Sequence, residues 1–443
     1  MTLRPPSCRP RLHGLSFGCA LMACLLLAAC ASAPGDGPPS ANPSHKLSSA
    51  EATAPLPADA DAPLLLVSID GFRNDYLDRG LTPTLARMAR EGVRAEFMRP
   101  SYPSITFPNH YTLVTGLHPD RHGAIANFMT DPDIPGVRFS MFDRETVADA
   151  RWWNGGTPLW TLVRQHGGRA GTMFWVGSEA PIHGALPEYW RPFDIRVGSD
   201  ARVDQILAWL ALPPDQRPHL LTLYFDVVDT AGHLHGPDAP EVDAALAEVD
   251  AAMARLQAGL QALALDHATN VVVVSDHGMA ATSPERELYL DDLVDTERLD
   301  FLWTGAFAAF NALPGGEAQA QSLLGDHPHF SCMTREQIPA EYQYGRHRRV
   351  PMYFCQAEHG WQVTTRAALQ RKGHRLHGEH GYDHRHPDMH APFIARGPAF
   401  RSGVVLPAID SVDVYPLVAH VLGIAPATND GDVAKTRAAL AAP

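Results

Sequence analysis

From Leu64 to Leu422, short apolar runs alternate with stretches in which apolar residues recur every three or four positions. The runs at 64–69, 93–98, 171–176, 219–225 and 271–275 have the length and composition of buried strands. Between them, 84–90 is predicted as a helix stopped at Gly92, and 241–265 as a longer one whose stripe Val242, Leu246, Val249 and Met253 faces a sheet. A strand at 391–396 and a helix at 413–422 resume the rhythm after 284–372, where Pro-punctuated segments of mixed pattern interrupt it. The order predicts an α/β fold: a central, mostly parallel sheet flanked by helices, built from 63–283 and 373–443, with a smaller α+β subdomain inserted over 284–372.

The first 62 residues follow neither pattern. Arg4, Arg9 and Arg11 precede an apolar stretch over 15–29, a basic and then hydrophobic leader too short to be a comfortable membrane span. It ends in Leu27-Ala28-Ala29-Cys30, which resembles the bacterial lipobox, so the signal peptide is expected at 1–29 with lipid on Cys30. Plain signal cleavage is the alternative. Ala31 rather than Asp after that cysteine suggests, by resemblance to bacterial lipoproteins, a periplasmic protein anchored to the outer membrane. Residues 30–62 are rich in Ala, Pro, Ser and Asp and read as a semi-extended tether. Cys332 and Cys355 are then the only cysteines of the folded part, in a disulfide-permissive compartment. A single bridge is expected, with two free thiols as the alternative.

Charge narrows the partners. The 443-residue chain carries 36 Lys and Arg against 49 Asp and Glu, and removing a leader with three Arg and no acid takes its net charge from −13 to −16. Polymeric nucleic acid, which binds through a basic footprint, is therefore not an expected partner. The chain also has 23 histidines, and their placement is informative.

Metal-type side chains stand repeatedly at strand ends, where open α/β sheets hold their ligands. The run 64–69 leads into Asp70-Gly71, the run ending at Phe225 into Asp229 and, four residues on, His233, and the run ending at Ser275 into Asp276-His277. A lone Asp after a strand is usually a turn or cap residue, but carboxylates and imidazoles paired in this way fit zinc. Six histidines fall within 374–390, among them His380, and one of them suffices as a ligand. In Ser104-Ile105-Thr106-Phe107-Pro108-Asn109-His110, Pro108 near a helix start and Gly116 at its expected C-cap put Thr106 at a helix N-terminus. There it is either an ordinary N-cap or a nucleophile beside an anion site.

Four motifs occur in order: Val67-Ser68-Ile69-Asp70-Gly71-Phe72-Arg73, Thr106-Phe107-Pro108-Asn109-His110, Thr115-Gly116-Leu117-His118-Pro119 and Ser275-Asp276-His277-Gly278-Met279. Together they resemble the nucleotide pyrophosphatase/phosphodiesterase family of the alkaline phosphatase superfamily, over about 64–431. The resemblance implies an alkaline-phosphatase-like fold and two Zn2+ ions about 4 Å apart, a spacing of two-metal phosphoryl-transfer sites. Matched motif by motif, Asp229, His233 and His380 would hold one zinc, and Asp70, Asp276, His277 and the Thr106 oxygen the other. Thr106 would be the nucleophile and form a covalent intermediate, with Asn127 donating to a phosphate oxygen alongside the Thr106 backbone N–H.

The implied activity is hydrolysis of nucleotide phosphodiester and phosphoanhydride bonds, releasing nucleoside monophosphates. No Arg stands in the nucleophile motif to neutralise the extra charge of a monoester, and Arg99 and Arg121 have no assignable role there. A choline-type phosphodiesterase and a phosphomonoesterase are the enzymatic alternatives, and a zinc-binding lipoprotein the non-enzymatic one. Phe107 matches a family residue on which a nucleobase stacks, and Tyr189 or Trp190 could close the other side, or simply pack. His384 stands where the family usually has Asn, and could compete with His380.

Overall fold

The computed structural model describes residues 62–442. The leader, Cys30 and the tether as far as Asp61 lie outside the described residues.

Eight strands form the central sheet, in the order Val404–Leu406, Val93–Ala95, Phe393–Arg396, Asn270–Val274, Leu64–Ile69, Leu220–Phe225, Ala170–Met173 and Tyr189–Arg191. Phe393–Arg396 runs antiparallel to both neighbours, and every other pair is parallel. Strands covered on both faces need apolar residues at every position rather than at alternate ones. That is why the predicted strands read as continuous runs. Leu64 and Leu66 enter one core with Val272 and Val274, while Leu65, Val67 and Ile69 enter the opposite one with Val271 and Val273. Helix Pro240–Ala262 covers the second face through Val242, Leu246, Val249 and Met253, and helices Thr106–Thr115 and Val414–Val421 cover the first.

The boundaries shift where the backbone turns. The strand expected to reach Val176 ends at Met173, because Phe174 adopts φ +63°. The helix expected to reach Leu265 ends at Ala262, just before Ala264 at φ +55°.

A second sheet, antiparallel throughout, has the order Leu299–Trp303, Phe307–Ala312, Tyr353–Ala357, Phe330–Thr334 and Gly325–His327. Phe310, Leu323 and Phe330 belong to its own core, while Phe307 and Phe354 join the first core of the main sheet. Cys332 and Cys355 lie opposite each other on neighbouring strands and form a disulfide. No helix among the described residues is long and apolar enough to cross a membrane.

Candidate active site

Parallel strands deliver their C-terminal ends to one edge of the sheet, and Asp70, Asp229 and Asp276-His277 arrive there from three adjacent strands. Gly71 permits the crowding: at φ +66°, a Cβ there would lie 2.8 Å from the Asp229 Cα. The two-residue strand Gly378–Glu379 pairs with Ala280–Ala281 and brings His380 to the same point. Helix Val227–His235 sets Asp229 and His233 one turn apart on one face.

His233 Nε2 and His380 Nε2 are 3.0 Å apart, and each is 3.5 Å from Asp229 Oδ1. Their Nδ1 atoms face the carbonyl oxygens of Gly378 and Ser104 at 2.9 Å. A carbonyl only accepts, so each Nδ1 carries the proton and each Nε2 presents a lone pair. Two lone pairs at that separation repel unless a cation lies between them. His277 follows the same rule, with Nδ1 bonded to Gly278 O at 2.9 Å and Nε2 standing 2.9 Å from Asp276 Oδ2 and 3.6 Å from Asp70 Oδ1. Asp70 Oδ1, Asp229 Oδ1 and Asp276 Oδ2 are buried without a hydrogen-bond partner. Orphaned carboxylate oxygens facing unprotonated imidazoles are a donor set that fits a divalent cation. Their donor atoms fall into overlapping groups within 4.8 Å: Asp229, His233 and His380; Asp70, Asp229 and His277; and Asp70, His110 and Asp276.

The electrostatics agree. Burial raises the Asp70 pKa, and repulsion from Asp276 and Asp229 takes it well above the usual carboxylate range. Burial alone would also raise Asp276, but His277 and His110 hold it well below that range. His380 is pushed well down by burial and by His277 and His233.

Thr106 is the first residue of its helix rather than its cap, and Gly116 closes the helix in the left-handed region. The Thr106 hydroxyl makes no capping bond; it lies 3.3 Å from His277 Nε2, at the edge of the Asp/His group. Buried Asn109 holds the preceding loop, accepting from Ser101 N–H and donating to the carbonyls of Ser101, Pro103 and Ile105.

Residues 64–383 match the family described as type I phosphodiesterase / nucleotide pyrophosphatase. A bis(5'-adenosyl)-triphosphatase of Xenopus laevis, enpp4, is 34% identical over 387 residues, covering 87% of this chain and 83% of the relative. Murine ectonucleotide pyrophosphatase/phosphodiesterase 5 is 32% identical with a TM-score of 0.81, over 86% of this chain and 100% of that one. An inactive form of that murine protein, in complex with AMP, gives 0.81 at 31% identity over the same shares. The chain belongs to this family. It is thus a hydrolase of the nucleotide pyrophosphatase/phosphodiesterase kind, with the mixed α/β fold of its structural neighbours.

Within this phosphodiesterase, Asn127 is buried and its Oδ1 accepts from the Phe107 N–H at 2.9 Å. Among the described residues its Nδ2 hydrogens have no acceptor. Phe107 packs against Phe139 and Trp153 with ring centroids 5.9 and 6.1 Å away.

Two expectations need correction. Tyr189 is not brought to Phe107: it sits on the edge strand, its ring against Trp209 at 6.1 Å and its hydroxyl on Gln216 O. Trp190 is half-buried on that strand, with no ring contact to Phe107. The aromatic that does approach is Phe193, 39% exposed and edge-on to Tyr224 at 5.9 Å, where the Tyr224 hydroxyl donates to Asp70 Oδ2 at 2.6 Å. His384 does not compete with His380; it belongs to no metal-capable group among the described residues. Its ring nests between Tyr102 and Tyr342, and burial lowers its pKa to about 4.

His110 and Tyr224 were the residues that sequence reasoning passed over. His110 bonds Ser68 Oγ through Nε2 and lies 3.2 Å from Asp276 Oδ2 through Nδ1, which also faces Thr106 O. Its spacing, one helical turn after Thr106, was the available signal. Tyr224 gave none, since it reads as one more strand aromatic. A cavity of about 740 Å3, lined by Arg90, Leu260, Arg396 and Phe400, opens at the opposite end of the sheet and holds none of these residues.

Proposed function

We propose that this chain is a two-zinc phosphodiesterase that cleaves nucleotide phosphodiester and phosphoanhydride bonds through a covalent Thr106 intermediate, releasing nucleoside monophosphates. The observation that carries this reading is the Thr106 hydroxyl at a buried helix start, 3.3 Å from His277 Nε2 and one residue from the N–H that orients Asn127. Asp229, His233 and His380 would hold one zinc, and Asp70, Asp276, His277 and Thr106 Oγ1 the other. When bound, zinc would lower the Thr106 pKa and offset charge on the departing oxygen.

The residues do the rest. Thr106 Oγ loses its proton to solvent and attacks phosphorus as the bond to the leaving oxygen breaks; water then attacks the phosphothreonine diester and Thr106 Oγ departs. Asn127 Nδ2 and the Thr106 N–H donate to a non-bridging oxygen. His110 and Tyr224 hold Asp276 and Asp70 in place. Phe107 and Phe193 offer aromatic faces to a base, which is sequence-tolerant recognition.

Relatives named for nucleotides, and a structural neighbour that binds AMP, support a small nucleotide as substrate. Arg99 and Arg121 are paired with Asp410 and Asp430, which supports diesters over monoesters. In this reading the leader and Cys30 tether the enzyme to the bacterial outer membrane, facing the periplasm. Thr106→Ala should keep its metal but lose nearly all turnover of a nitrophenyl nucleotide diester, and the wild type should give a phosphothreonine adduct on rapid quench. Undiminished turnover would remove the nucleophile, and a strong preference for a nitrophenyl monoester would remove the diester reading.

A further inference from the structure

Outside the catalytic centre, His359, His386 and Asp388 bring three donor atoms within 4.8 Å of one another. His359 follows strand Tyr353–Ala357 of the second sheet, whereas His386 and Asp388 lie in the loop that leaves His380. His359 Nε2 is 2.8 Å from Asp388 Oδ2, and His386 Nδ1 is 3.9 Å from the same oxygen. The two imidazoles stack with centroids 3.5 Å apart at 16°. Asp388 Oδ1 faces Arg73 Nη1 at 3.9 Å, which leaves Oδ2 to the histidines. His359 Nδ1 is buried without a hydrogen-bond partner, so its one engaged nitrogen is the one facing Asp388.

A simple ion pair accounts for His359 and Asp388 but not for His386, because two imidazolium rings would repel at that stacking distance. The rings suit one another as neutral bases, and burial together with His359 lowers the His386 pKa, so they are in the form that binds metals. Two neutral imidazoles and one carboxylate, each about one-third exposed, are a zinc-type donor set with room for a water.

We propose that His359, His386 and Asp388 form a separate site for a divalent cation of the zinc class, which fastens the second sheet to the catalytic loops. Its position gives it that purchase. The Gly278 N–H, next to His277, donates to Met389 O at 3.0 Å, and a Cβ at Gly278 would lie 2.1 Å from Asp388 O. His359 also packs on Tyr382, two residues beyond His380, with centroids 5.1 Å apart. The site shares no residue with the catalytic group, so it stands or falls independently of it.

The test is metal content and thermal shift on the whole mature chain, loaded with excess Zn2+ and desalted. His359→Gln and His386→Gln should each hold one equivalent of zinc fewer than wild type, show a smaller zinc-induced rise in Tm, and keep diester turnover. His386→Cys, which retains a zinc ligand, should restore the equivalent. Unchanged zinc content in both Gln variants overturns the proposal. So does loss of more than one equivalent together with turnover, which would place the lost ion in the catalytic centre, and so does failure of the Cys rescue, which would assign the loss to general destabilisation.

Discussion

Replacing Asp131 by Ala should destabilise the protein by about 3–5 kcal/mol and slow turnover through Asn127, four residues upstream. The enclosed Asp131 carboxylate accepts from Arg348 Nε and Nη2 at 2.8 and 2.9 Å and from Arg349 Nε at 2.5 Å. The Arg349 side chain is 4% exposed and donates its other hydrogens to Gly123 O, Trp152 O and Arg151 O. Asn127 lies between Gly123 and Asp131, so one guanidinium from the inserted segment grips both flanks of the proposed phosphate donor. Removing the carboxylate strands that guanidinium without its closest counter-charge. With about 2.1 cal/mol/K of unfolding entropy per residue over roughly 380 residues, the loss lowers Tm by about 4–6 °C. A displacement of Asn127 by about 1 Å would lower kcat by up to ~100-fold.

The pH dependence has a definite sign. Burial would raise the Asp131 pKa, but its bonds to Arg348 and Arg349 carry it well below the ordinary range. The pair's contribution is therefore complete above the unfolded carboxylate pKa near ~4, and is lost as pH falls from there towards the depressed value. The Tm gap between wild type and variant should be constant from about pH 5 to 8 and narrow below about pH 4. Calorimetry and steady-state rates on a nitrophenyl nucleotide diester measure both effects. Asp131→Leu combined with Arg349→Met should recover most of the stability, because neither charge then remains buried. A double variant as unstable as the sum of its singles, or a single variant that melts with wild type, would refute the reasoning.

Chelation should abolish turnover and lower Tm, because the orphaned oxygens of Asp70, Asp229 and Asp276 would be left facing one another; recovery of both on adding Zn2+, read by thermal shift and rate, checks it. Phe193→Ala should raise KM for nucleotide diesters several-fold at little change in kcat. Tyr189→Ala should instead leave KM unchanged and lower Tm, and the opposite pattern would return the base site to the edge strand. Replacing Cys332 and Cys355 by Ser should cost about 3 kcal/mol, from the entropy of the chain segment between them, measured by denaturant unfolding.

The main sheet was legible because its strands are buried on both faces, so uninterrupted apolar runs such as 64–69 mark them without ambiguity. The ligands were legible for a related reason: a parallel sheet places the residue after each strand at one edge, so Asp70, Asp229 and Asp276 could be grouped before any coordinates. The sequence by itself therefore determined the fold class, the Asp/His group and Thr106. Tertiary structure alone decided which aromatics reach the site, because Tyr189 and Phe193 differ by four positions and the chain leaves the edge strand between them. It alone decided that His384 turns into an aromatic nest, since alternate directions of a loop residue carry no periodic signal. It alone decided the grip of Arg349 on Gly123 and Asp131, since these residues lie more than two hundred positions apart and side-chain reach across such a gap is set by packing, not by local pattern.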